Sequence, residues 1–131
     1  MEINIAEIVA AVAGMAVGAL WFSPLLFVKP WSKETGVKES EMRTGAAKKY
    51  ALTALGTLAM AHVLVYIASV TGSKTAIDGI KLGFILWLGF VLPVLGTITL
   101  FEGRSKNLFL INASHHLVVL MVMGAIVSIW G

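Results

Sequence analysis

The chain has 131 residues, of which 58% are hydrophobic and only 13% charged; its formal net charge is +3 and it contains no cysteine. An ordinary soluble domain carries about 25% charged residues, so a chain this short and this apolar leaves no room for a separate soluble domain. The lack of cysteine excludes a disulfide framework and thiolate chemistry, and the positive charge reads as membrane orientation rather than nucleic-acid binding.

Four apolar stretches run from about Ile3 to Val28, Ala46 to Thr71, Ala76 to Phe101 and Leu108 to Trp130. A membrane-spanning helix needs roughly 20 apolar residues, and each stretch has that length. The expectation is an all-α integral membrane protein, a single domain over residues 1–131. It is a four-transmembrane-helix bundle of two antiparallel hairpins with a cytoplasmic loop at 29–45. Glu2 and Glu7 stand where a signal peptide has its basic segment, and the first stretch is too long for one. Eight of the ten Lys and Arg residues fall in the segments 29–49 and 102–107, and only Lys74 and Lys81 lie on the other side. The positive-inside rule then predicts a multi-pass protein of the cytoplasmic membrane with both termini outside.

The first span opens on Asn4-Ile5-Ala6-Glu7, a capping-box pattern with Asn4 as the cap and Glu7 reaching back to it. Glu7, Ala11, Gly14, Gly18 and Trp21 step by four and three residues and therefore share one helix face. Ser23-Pro24 removes a backbone donor and should stop or kink the helix near Leu20. Trp21, Phe27, Pro30 and Trp31 read as interfacial, as does Trp130 at the far end of the chain. The polar stretch Ser32 to Lys49 has room for one short amphipathic helix.

Gly72 is placed to end the second span in a left-handed C-cap. Thr75-Ala76-Ile77-Asp78 is a second capping box and begins the third span. The third span carries Gly79, Gly83, Gly89, Pro93 and Gly96, breakers that a membrane helix tolerates. About six residues join it to the fourth, which predicts a tight antiparallel hairpin. A weak echo links the two hairpins: Trp21 and Trp87 stand in comparable positions, and Ala61-His62-Val63-Leu64 resembles His115-His116-Leu117-Val118.

Gly14 to Gly18 and Gly79 to Gly83 are GxxxG pairs, which pack helices within one bundle or carry a homo-oligomer interface. His62, His115 and His116 lie inside apolar spans, where ionisable residues face a bundle interior or a wet cavity. With Tyr66 and Asn112 they form the candidate polar core or pathway. His62 and Tyr66 are placed on one face of the second span, and Asn112 and His116 on one face of the fourth. His62 lies outward of the midplane and His116 inward, so the two are not in direct contact. An imidazole that only satisfies neighbouring helices is the competing reading. A metal site is disfavoured because the adjacent His115 and His116 diverge by about 100° around a helix. No carboxylate is expected at their depth, since Glu7 is assigned to capping. No phosphate-binding loop, nucleophile elbow or catalytic carboxylate pair occurs, so neither an enzyme activity nor a cofactor is expected.

Gly18-Ala19-Leu20-Trp21-Phe22-Ser23-Pro24-Leu25-Leu26-Phe27, followed by Lys29 and Trp31, resembles the first-helix signature of a family of small bacterial and archaeal membrane proteins. That family is known as domain of unknown function 1761. Similar runs follow at Trp87 to Val91, Phe101-Glu102, Arg104-Ser105, Leu108 to Asn112, His116-Leu117 and Met123 to Ile126. The resemblance covers essentially the whole chain. A tyrosine is usual in the family where Phe22 and His115 stand here, so the resemblance favours His116 over His115 as a functional residue. It implies a four-helix membrane protein and leaves its activity open.

Two functions remain from the sequence. One is an oligomeric transporter or channel for a small solute or ion, lined by His62, Tyr66, Asn112 and His116. The other is a non-catalytic membrane subunit whose basic segment 29–49 binds a protein partner or anionic lipid. In both, the lipid bilayer is the first partner.

Overall fold

The computed structural model describes residues 4–130, and every regular element among them is helical. In chain order these are α1 (Ile5–Trp21), α2 (Val28–Thr35), α3 (Glu39–Met42), α4 (Ala46–Thr71), α5 (Ala76–Glu102) and α6 (Lys106–Trp130). Helices α4, α5 and α6, with 26, 27 and 25 residues, are each long and apolar enough to cross a membrane. Helix α1 is apolar but has 17 residues, about 25 Å at the rise of an α-helix.

The first span is therefore shorter than Ile3 to Val28. Its expected start at Ile3 lies outside the described residues. Its end comes at Trp21 because Pro24 offers no donor and the Ser23 hydroxyl donates to the Leu20 carbonyl at 2.6 Å. Turns carry the chain to α2, which Gly36 closes at φ 75. Segment 29–45 thus holds two short helices rather than one.

Helices α1, α4 and α6 share the core. Ala10, Ala11, Ala61, Leu64, Ala68, Val119, Leu120, Met123 and Val127 are buried there, and the many alanines let the helix axes come close. Glu7 meets His62 and Gly14 meets Thr57, so α1 runs antiparallel to α4. It also runs antiparallel to α6, because Gly14 meets Met123 and Gly18 meets His115. Helix α5 packs on α6 with its glycines. A Cβ on Gly79 would overlap the Gly124 carbonyl, and one on Gly83 the Leu120 carbonyl. One step of four residues down α5 matches one step of four up α6, the expected antiparallel hairpin. Helix α6 is thus the centre of the molecule. The outward faces stay apolar, with Leu25, Leu100 and Phe101 more than 80% exposed. Contiguous exposed apolar surface on this scale is rare on soluble monomers. Like the three helices of spanning length, it is compatible with a membrane protein.

Candidate functional site

A groove of about 920 Å³ opens between α1, α4 and α6, with segment 22–43 as its fourth wall. Its lining mixes charged, apolar and imidazole groups. Arg43 and Lys49, both exposed, line the end nearest the chain's basic segment. Phe22, Trp31, Met15, Met42 and Met60 provide apolar walls, and His115 and His116 line it from α6. Gly14, Thr57 and Val119 also line it. A Cβ on Gly14 would stand 2.8 Å from Met123 Sδ and 3.2 Å from Thr57 Cγ2, so the helices are closely packed at that level.

The two histidines are held by their neighbours. Gly18 leaves room for the His115 ring, whose Nε2 would lie 3.2 Å from a Cβ there. The Phe22 ring lies 4.9 Å from that of His115, and the His116 ring 4.8 Å from it. Phe22 and His115 therefore face one another. His115 Nε2 is buried with no hydrogen-bond partner among the described residues.

Two tryptophans fix α6 from opposite sides. The Trp21 indole N–H donates to the Ile111 carbonyl at 3.1 Å, and that of Trp87 donates to the Ala113 carbonyl at 2.8 Å. Trp21 thus directs its N–H into the protein. Trp31 stands edge-on to Phe22 in the groove wall, and Trp130 is 56% exposed. The Trp21–Trp87 echo is real in geometry, since both indoles cap carbonyls of the same helix turn.

The remaining polar candidates separate. Tyr66 points outward at 56% exposure and does not join His62. Asn112 lines a smaller cleft of about 290 Å³ between α5 and α6, with Thr99, Glu102 and Arg104, and is not part of the His115–His116 groove. The four GxxxG glycines, Gly14, Gly18, Gly79 and Gly83, all pack within the chain. Gly124, whose own Cβ would meet Gly79 in return, is the partner that the sequence reading missed. A third glycine in register with the Gly79–Gly83 pair across a short hairpin was its signal.

Of the two capping boxes, Thr75 and Asp78 form theirs in full. At α1 only half forms: the Asn4 carboxamide oxygen accepts from the Glu7 N–H at 3.1 Å. The Glu7 side chain does not reach back. It turns inward, 1% exposed, with Oε1 2.9 Å from His62 Nδ1 and Oε2 buried with no hydrogen-bond partner among the described residues. A carboxylate therefore does meet one of the three histidines. Ala6, Ala10 and Ala11, small and buried on the same face, leave the space it occupies. At that end of the chain the Ser73 and Ser128 hydroxyls pair at 2.7 Å.

Residues 5–128 match the model of the family described as protein of unknown function (DUF1761). The chain belongs to the DUF1761 family. No curated protein and no solved structure is significantly similar to it. The family description names no activity, so the chemistry of this DUF1761 chain is read from its own residues.

Proposed function

We propose that the chain crosses the cytoplasmic membrane four times, with both termini outside, and that it carries a small amphiphilic anion across the bilayer through its groove. Four spans are supported by the packing of α1, which lies antiparallel beside both α4 and α6 from Glu7 to Trp21. The charge bias of the loops supports the orientation.

The observation that carries the reading is the make-up of the groove. Cationic Arg43 and Lys49, aromatic and thioether walls, and two imidazoles that can accept or donate line one continuous space. A solute with an anionic head and an apolar tail matches that set of groups. The single chain is taken as the working unit, because both glycine stripes that suggested a homo-oligomer are occupied within it. No catalytic step and no cofactor belong to this reading.

The test is binding of a brominated alkyl sulfonate, a permanent anion whose bromine quenches nearby indoles. Trp31 lines the groove, whereas Trp21, Trp87 and Trp130 do not. Saturable quenching is expected in the wild type. Most of it should disappear in Trp31→Phe, and the affinity should fall about tenfold or more in Arg43→Gln/Lys49→Gln. Quenching that is unchanged in Trp31→Phe would contradict a groove site.

A second reading is an accessory membrane protein that holds an anionic lipid or a protein partner at its basic segment. The exposed cluster Arg43, Lys48 and Lys49 favours it. It shares binding with the first reading and differs in predicting no flux.

A further inference from the structure

Glu7 lies outside the groove and is the least accessible charged-type residue of the described chain, at 1% exposure. Its two oxygens differ. Oε1 is 2.9 Å from His62 Nδ1, whereas Oε2 is buried and has no hydrogen-bond partner among the described residues. The His62 side chain is 30% exposed against 2% for that of Glu7, so the imidazole is the accessible end of the pair.

An ionised carboxylate with one buried oxygen left bare is among the costliest arrangements a protein can hold. Adding one proton removes the difficulty. If Oε1 carries it and donates to Nδ1, Oε2 becomes a neutral carbonyl oxygen, the kind of buried group whose lack of a partner costs least. The pair then has no net charge.

We propose that Glu7 and His62 form a reversible proton-binding site. A proton arrives at Nε2 of the accessible imidazole, and the proton already on Nδ1 passes to Glu7 Oε1. The ring is left as the Nε2–H tautomer, and the carboxylate as a neutral acid donating to Nδ1. Release reverses both transfers. Among the described residues no other charged group faces the pair. From α4, Tyr66 points outward. On α6 the titratable residues are Lys106, His115 and His116, and His115 meets α1 at Gly18, eleven residues from Glu7. Lys74 and Asp78, at the same end of the molecule, are exposed. The site stands whether or not the groove moves an anion.

The test is infrared difference spectroscopy of the full chain in nanodiscs, between mildly acidic and alkaline buffers. The wild type should show the C=O band of a buried protonated carboxyl that disappears as pH rises. The band should be absent in Glu7→Gln, an isosteric change, and displaced in frequency in His62→Gln, which removes the imidazole acceptor. Should Glu7→Gln fail to fold, the displacement in His62→Gln makes the assignment. A wild type with no pH-sensitive carboxyl band overturns the proposal. So does a band that neither substitution alters, or a carboxylate that stays ionised and responds to sodium instead of pH.

Discussion

Gly18 and Gly83 are glycines for different reasons. Gly18 faces the end of a side chain, the His115 imidazole, which can shift; Gly83 faces backbone, the Leu120 carbonyl, which cannot without moving a helix. Gly56, by contrast, has open space where a Cβ would stand. Alanine at these positions should therefore have opposite effects. Gly83→Ala should destabilise the protein by about 1–3 kcal/mol through overpacking. Gly56→Ala should stabilise it by roughly 0.5–1 kcal/mol through helix propensity. Reversible unfolding in mixed micelles measures both, and equal effects would contradict the packing of α5 on α6. At this scale the sequence was half legible. The four-and-three spacing of Glu7, Ala11, Gly14, Gly18 and Trp21 already placed Glu7 on the face that packs inward. Its position beside the helix start suggested capping instead. The two cues conflicted, and packing prevailed because the face is made of alanine and glycine, which leave room for a long side chain. Nothing in the spacing identified His62 as its partner, since that contact joins residues 55 apart.

The elements divide by length. Helices α4, α5 and α6 follow the apolar stretches within one or two residues, because glycines at positive φ end α4 and α5 at Gly72 and Gly103. Helix α1 ends early because proline chemistry outweighs continuing hydrophobicity. Within α5, residues Trp87–Val91 form a π-helical turn, with the Leu92 N–H donating to the Trp87 carbonyl, just before Pro93. Such a turn accommodates the missing proline donor and re-aims the residues around it; here it accompanies the inward indole of Trp87. Hydropathy alone carries no signal for it. Helix α2, which walls the groove, is tied to the α5–α6 connection at Glu34. Hydrogen bonds from the Ser105 and Asn107 side chains hold the Glu34 carboxyl below its ordinary value of 4.5. A depressed value means that the tie is complete above the ordinary value and is lost as pH falls through the lower, folded one. Amide exchange in α2, corrected for intrinsic rates, should thus be faster in Glu34→Ala than in the wild type at neutral pH. The difference should vanish in acid. A difference that persists in strong acid would contradict the role of the charged form.

At the scale of the molecule, α6 organises everything else: α1 and α4 on one side, α5 on the other, and two tryptophans holding one of its turns. That arrangement places a groove with a basic end in one half of the protein and a buried carboxylate–imidazole pair in the other. Composition foretold the helical class, and loop charges foretold an orientation. The groove was not legible, because its lining comes from five separate segments and from residues such as Trp31 just before the polar stretch and Met42 within it. The separation of Asn112 from His116 was equally hidden, since both lie on one helix face and differ only in which neighbour covers them. The most direct test of the account is uptake of an alkyl sulfonate by proteoliposomes, with protein-free vesicles of the same lipid as reference. Uptake well above the reference, reduced about tenfold or more in both His116→Ala and Arg43→Gln/Lys49→Gln, is the predicted result. Uptake no faster than in protein-free vesicles, by a protein that still binds the sulfonate at Trp31, would contradict carriage and leave the groove as a lipid-holding site.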